Sequence, residues 1–132
     1  MNNKIFSPNT GNIIGNWSNT KEKNIEKKII NLSLAFEELN SIKNRIFLLN
    51  ELKKIIINNK KILSQIIIHE CGKTFKEAND EIIYANSFVD FSIYHLKNHE
   101  PINKVDNHII NLRSRGISFL ITPYNDPLAG LT

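Results

Sequence analysis

Between residues 21 and 96 the apolar positions recur with the period of an α-helix. Ile25, Ile29, Leu32, Phe36 and Leu39 follow at steps of four, three, four and three, which lays them on one face of a helix from about Lys21 to Leu39. Lys23, Glu26, Lys27 and Glu37 fall on the opposite side, and Ser18-Asn19-Thr20 offers N-cap side chains just before it. Asn40-Ser41 breaks the period, and a second helix carries Ile42, Arg45, Leu48, Leu49, Leu52, Ile55 and Ile56. Asn58-Asn59 interrupts again; the segment Lys60 to Glu70 then places Ile62, Leu63, Ile66 and Ile67 on its buried side. The β-branched runs Ile55-Ile56-Ile57 and Ile66-Ile67-Ile68 would suit strands, but the flanking period decides for helix. Gly72 supplies the residue that most readily turns left-handed after a helix end. A fourth helix, about Phe75 to Leu96, shows the stripe Ala78, Ile82, Ala85, Phe88, Val89, Ser92 and Ile93.

The two ends read differently. Ile5-Phe6, the turn cluster Ser7-Pro8-Asn9-Thr10-Gly11 and Ile13-Ile14-Gly15-Asn16-Trp17 predict a short hairpin over residues 1–18. His95 to Asp106, with Pro101, reads as a connection. His108-Ile109-Ile110-Asn111-Leu112 and Ile117-Ser118-Phe119-Leu120-Ile121 follow as two strands. The second is nearly all apolar, as a buried parallel strand would be. Parallel partners need crossovers of a dozen or more residues, and none follow before Thr132. The pattern therefore reads as the opening of an α/β protein, with the rest of its sheet outside these residues.

Composition narrows the class. Hydrophobic residues are 41% and charged residues 23% of 132, values of ordinary folded proteins rather than of collagen-like, coiled-coil or disordered chains. A single cysteine excludes a disulfide framework and a Cys-rich zinc site. No apolar run approaches the roughly 18 residues that span a bilayer, and the first residues lack the apolar core of a secretory signal. The expectation is a cytoplasmic protein without a membrane partner. Seventeen basic against thirteen acidic residues give a net charge of +4, spread along the chain and not gathered into a basic face. No nucleic-acid partner is expected on that basis. The load of Ile, Asn and Lys fits an AT-rich genome.

Four short motifs occur in order: Pro8-Asn9-Thr10-Gly11, Glu70-Cys71-Gly72-Lys73, Lys76-Glu77-Ala78, and Ile121-Thr122-Pro123-Tyr124-Asn125-Asp126-Pro127-Leu128. On its own, the last reads first as a plain turn whose Asn and Asp bind local backbone. Together, over nearly the whole chain, the four resemble the N-terminal quarter of the NAD(P)-dependent aldehyde dehydrogenase superfamily. That family typically shows Pro-x-Thr-Gly, then E-x-G-K, then I-T-P-W-N-F-P-L. Here Tyr124 stands for the Trp, Asp126 for the Phe, and Ser114 where a proline is common.

The resemblance implies a fold, an activity and roles. Residues 1–132 would be the N-terminal part of a Rossmann-like cofactor-binding domain: a hairpin and amphipathic helices leading into its first strand. Residues of about 104–115 would belong to the strands that reach across subunits in a homo-oligomer. The whole enzyme would oxidise a small aldehyde to a carboxylate, passing a hydride to NAD or NADP through a cysteine thiohemiacetal. Asn125 would donate its amide N–H to the developing oxyanion, and Ile121, Thr122, Pro123 and Tyr124 would line the cofactor. Asp126 in the Phe position is similar to branches that take polar or phosphorylated aldehydes. The nucleophilic cysteine, the general-base glutamate and the pyrophosphate-binding turn would lie beyond the equivalent of Thr132, so these residues alone would be inactive.

The remaining candidates read as structural. Cys71 stands at a helix end and is expected to be a structural thiol. His69, His95, His99 and His108 lack ligand spacing, so no metal is expected. Lys73 reads as a charge on a helix C-terminus, and Glu77 with Glu81 as a solvated face. A different class stays open: a non-catalytic helical remnant or interaction domain, which an unpaired apolar strand at residues 117–121 would argue against. A nucleic-acid-binding module is a weaker third.

Overall fold

A computed structural model describes residues 2–39, 41–98, 102–113 and 115–132. Two strands, β1 (Asn2–Phe6) and β2 (Ile13–Ser18), form an antiparallel hairpin in which Asn2 pairs with Ser18 and Phe6 with Ile13. Four helices follow: α1 (Glu22–Glu38), α2 (Ile42–Asn58), α3 (Lys60–Cys71) and α4 (Phe75–Asn98). A second hairpin of β3 (Ile102–Val105) and β4 (His108–Asn111) comes next, with Val105 opposite His108. One turn of 3₁₀ helix, Ala129–Leu131, closes the described chain. All four helices lie within two or three residues of the bounds that the apolar period predicts.

The core forms where α2, α3 and α4 meet. Ile56, Ile67, Ala78 and Ile82 are buried together, with Leu63, Ile68, Cys71 and Leu128 packed against them. Farther along α4, Ala85, Val89 and Ile93 continue the buried stripe. Burying one such isoleucine stabilises by about 1.5–3 kcal/mol. Two alanines in that stripe keep α4 close to its neighbours, because a methyl side chain lets helices approach.

Several expectations about faces need correction. On α3, Ile62 and Ile66 face outward, and the buried side is instead Leu63, Ser64, Ile67, Ile68 and Cys71. The face was displaced because α3 packs on α4 through positions one residue farther on. On α1 no residue is buried, and Ile25, Ile29 and Leu32 are exposed along their stripe. Arg45 leaves the apolar face of α2: its Nε donates to the Leu39 carbonyl at 2.6 Å, while Asn44 donates to Glu38 O at 3.0 Å. Both satisfy carbonyls that the end of α1 leaves without helical donors.

The caps also differ. Helix α1 starts after Lys21, whose backbone is extended and whose side chain makes no cap bond, so Ser18-Asn19-Thr20 lies too early to cap it. Ser41 stands at the N-cap of α2 without a side-chain bond, and Asn40 falls outside the described residues. Helix α4 has the reciprocal arrangement. Glu77 accepts from the Thr74 backbone N–H at 2.8 Å, and the Thr74 hydroxyl accepts from the Glu77 N–H at 3.3 Å, a capping box. Glu77 is thus a cap, not merely a solvated acid. The Thr74 N–H, and next its hydroxyl, hold the Glu77 carboxyl below its ordinary value.

The C-terminal strand expected at residues 117–121 is absent, and this is the largest correction. A strand exists through ladder bonds to a neighbour, and among the described residues the only sheets are the two hairpins. Phe119 is 90% and Ile121 83% exposed, outside any helix or strand. Conversely, β3 arises where a connection was expected, because pairing with β4 across a two-residue turn, with Asp106 at φ 53°, supplies its ladder. Pro101, His99 and Ser114 lie outside the described residues.

Gly72 joins the two halves. It ends α3 at φ 73°, and a Cβ there would meet Pro8 Cγ at 3.0 Å and Asn9 Oδ1 at 3.1 Å. The tip of the first hairpin therefore rests on this glycine, with Asn9 Nδ2 donating to Ile68 O at 3.4 Å. Replacing Gly72 with Ala is expected to cost about 1–2 kcal/mol for the left-handed backbone alone, and more for the clash. Urea unfolding of the variant checks this, and a midpoint equal to that of the wild type would contradict it.

Candidate functional site

The loop from Thr122 to Leu128 lies against the junction of α3 and α4, and charge holds it there. Glu81, in the second turn of α4, sits on the buried stripe between Ala78 and Ala85 and is 4% exposed. A buried carboxylate needs donors on every side, and Glu81 has them. Its Oε1 accepts from the backbone N–H of Leu128 at 2.8 Å and from that of Ala129 at 3.4 Å. Its Oε2 accepts from Lys73 Nζ at 2.7 Å. Lys73, just past the end of α3, also donates to Asp126 Oδ1 at 2.7 Å. One ammonium thus bridges a buried carboxylate on α4 and a half-exposed one on the loop. The expectation that Lys73 serves only the helix end, and that Glu81 faces water, gives way to this network.

Burial by itself would lower the Lys73 ammonium, but hydrogen bonds to Asp126 and Glu81 outweigh it and hold Lys73 above its ordinary 10.5. Cys71 moves the other way from a reactive thiol. Its burial first, and the Glu81 charge second, push the thiol up from 9.0, with Lys73 opposing. Its Sγ–H donates to the Tyr124 carbonyl at 3.4 Å. A protonated thiol spent on a backbone carbonyl is a poor nucleophile.

Each loop residue has a definite setting. Ile121 and Tyr124 are exposed, and Tyr124 is 88% so. Thr122 is half-buried against Gly130, where a Cβ would meet the Thr122 side chain at 3.0 Å and Pro123 Cδ at 3.6 Å. Asn125 is exposed and its Nδ2 donates to Asp126 Oδ2 at 3.2 Å. The turn closes with Gly130 N–H on Asp126 O at 3.0 Å, and Leu128 enters the core. Thr122, Pro123, Tyr124 and Asn125 therefore share one anchored loop, while Ile121 belongs to the extended segment leading into it. A groove of about 640 Å³ runs beside the network, with Lys73, Glu77, Asp80, Glu81 and Asp126 on its charged side and Ile83 and Tyr84 on its apolar side. Among the described residues, no three His, Cys, Asp or Glu side chains gather as a metal site would, and no helix is long and apolar enough to cross a membrane.

Glu81 was the residue that sequence reasoning missed, although a signal was available. It lies three residues after Ala78 and four before Ala85, inside the apolar stripe, where an acid must find partners or pay for burial. Thr74-x-x-Glu77 likewise announced the start of α4.

Comparison with known proteins agrees with this architecture. The aldehyde dehydrogenase family model matches residues 2–132. The chain belongs to the aldehyde dehydrogenase family. It is 33% identical over 135 residues to a succinate semialdehyde dehydrogenase of Acinetobacter baylyi, covering 97% of this chain and 28% of that protein. It is 30% identical over 136 residues to a mitochondrial succinate-semialdehyde dehydrogenase of Arabidopsis thaliana, covering 98% of this chain and 26% of that one. The fold matches glyceraldehyde-3-phosphate dehydrogenase GapN of Methanocaldococcus jannaschii, solved with NADP, at a TM-score of 0.76 and 20% identity, over 96% of this chain and 29% of that one. The chain thus spans under a third of the length of each relative. The α/β fold is that of the N-terminal portion of these proteins.

The network makes a stability prediction. Removing the Lys73 ammonium leaves Glu81 buried without its cation, so Lys73→Met is expected to destabilise by about 3 kcal/mol. Because Lys73 titrates above its ordinary 10.5, its contribution is complete below that value and disappears as the pH rises through the raised one. On the alkaline side, the gap between wild type and Lys73→Met in urea unfolding should therefore narrow only above pH 10.5. A gap that closes near neutral pH would contradict the assignment.

Proposed function

We propose that these residues form the N-terminal portion of an enzyme that oxidises a small aldehyde to a carboxylate with NAD or NADP. The observation that carries the proposal is the anchored loop, which presents the Asn125 amide outward beside an exposed tyrosine and an apolar extended segment. Family membership and the two semialdehyde dehydrogenase relatives support the reaction class. Those two relatives also favour a polar substrate, and a phosphorylated aldehyde falls within the same proposal.

The chemistry assigned to this chain is modest and specific. When a thiolate attacks an aldehyde carbonyl, negative charge develops on the oxygen. A neutral amide donor held between two prolines stabilises that charge with little reorganisation. Asn125 is that donor in this reading. The cysteine nucleophile, whose adduct is the thiohemiacetal, and the general base come from outside these residues, since Cys71 is spent on Tyr124 O.

The residues also fit a dinucleotide. Ile121 and Tyr124 expose flat apolar surface beside Asn125, while Thr122 and Pro123 are fixed by contact with Gly130. When bound, the nicotinamide supplies the hydride acceptor. Ile121, Thr122, Pro123 and Tyr124 would line one wall of its site.

The second hairpin fits a subunit contact. Ile102, Val105, Ile109 and Ile110 are all exposed on β3 and β4. The segment 104–115 would add to a partner's sheet edge, making the enzyme a homo-oligomer, and we place it in the cytoplasm.

In the complete enzyme, followed by the absorbance of the reduced nicotinamide, Asn125→Ala is expected to lower kcat about 10²–10³-fold. KM for the aldehyde should change little, because the bond forms in the transition state. A kcat within twofold of wild type would remove Asn125 from the reaction.

A further inference from the structure

The Asn125 amide is held through two charges. Its Nδ2 donates to Asp126 Oδ2 at 3.2 Å, while the other oxygen of that carboxylate, Oδ1, accepts from Lys73 Nζ at 2.7 Å. Lys73 cannot wander, because Glu81 Oε2 holds the same ammonium at 2.7 Å and the Glu81 side chain is 2% exposed. Glu81 in turn cannot rotate without releasing the Leu128 N–H. The chain of bonds runs from the core through Glu81, Lys73 and Asp126 to one N–H of Asn125. A carboxamide has two such protons, so the second is left to point away from Asp126.

Asp126 presents a difficulty that Lys73 lessens. A bare carboxylate next to an oxyanion donor would repel the charge that the donor is meant to stabilise. The Lys73 ammonium, 2.7 Å from its Oδ1, offsets part of that repulsion. This sequence puts Asp where the motif it resembles has Phe, and a ring there has no pair of carboxylate oxygens to accept from the ammonium and the amide together.

We propose that Lys73 is a positioning residue for Asn125, acting through Asp126: it fixes the carboxylate that orients the carboxamide. The catalytic consequence rests on Asn125 being the oxyanion donor; the orientation does not. In this proposal Lys73 acts through Asp126 and not on the reacting atoms. Arginine can keep both ion pairs, whereas methionine keeps only the length of the stem.

The test reads the Asn125 side-chain amide by nitrogen-15 NMR, its proton pair assigned by the loss of that pair in Asn125→Ser. In the wild type the two protons should be well separated, with slowed exchange for the one bound to Asp126. Lys73→Met should collapse the pair toward the positions of a freely solvated amide, and Lys73→Arg should restore it. Asp126→Ala keeps the Lys73–Glu81 pair, so it serves if Lys73→Met does not fold; it too should release the amide. An Asn125 pair that stays put in Asp126→Ala, or that Lys73→Arg fails to restore, would overturn the proposal. In the complete enzyme, Lys73→Met should lower kcat about 10–100-fold, as misplacing a reacting group does, with KM within twofold. A released amide with unchanged kcat would sink Asn125 as the donor and leave the positioning intact. A lowered kcat with an unmoved amide would sink the positioning and leave Asn125 in its role.

Discussion

A carboxylate taken out of water must be met by donors, and Glu81 shows how much structure that requirement can organise. Its two oxygens gather the start of the 3₁₀ turn, the residue after α3 and, through Lys73, the loop itself. Residues 122–131 form no sheet and little helix, and residues 117–121 are exposed and outside any helix or strand. Leu128 in the core gives apolar adhesion, but adhesion has no direction. The ion pairs supply direction, and the direction of the Asn125 amide is the property on which the proposed chemistry turns.

Such a network is poor evidence for stability in itself, since a buried ion pair recovers by attraction little more than its desolvation removes. An apolar residue at position 81 could pack as well against Ala78 and Ile82. What it could not do is receive two backbone N–H groups from a loop that comes from far along the sequence. The helix end at Gly72 works in the same spirit. Its missing Cβ admits Pro8 and Asn9, so the hairpin tip, the end of α3 and Lys73 crowd into one junction. The first and last motifs of the chain meet within a few residues of each other there.

Much of this was legible in the sequence. The helical period located four helices, and Gly72 marked the left-handed end of α3. The order of short motifs pointed to the family that the comparisons show. The failures share a cause. Ile117–Ile121 has the apolar pattern of a buried strand, but pattern cannot supply the neighbour whose ladder makes it one. Ile62 and Ile66 lie on a helical stripe, but which flank of the stripe packs depends on where α4 lies. Lys73 and Asp126 are 53 residues apart, and nothing local to either says that they pair. Glu81 was the exception, since an acid inside an apolar stripe stands out by its position alone.

The central claim is that a buried carboxylate ties the loop to the helices. Hydrogen exchange at the Leu128 and Ala129 amides measures it most directly, because those N–H groups are the ones Glu81 accepts. The account predicts protection approaching that of the core amides of α4, with loss of that protection in Glu81→Ala. Exchange as fast as that of the exposed Phe119 to Ile121 amides in the wild type would contradict it.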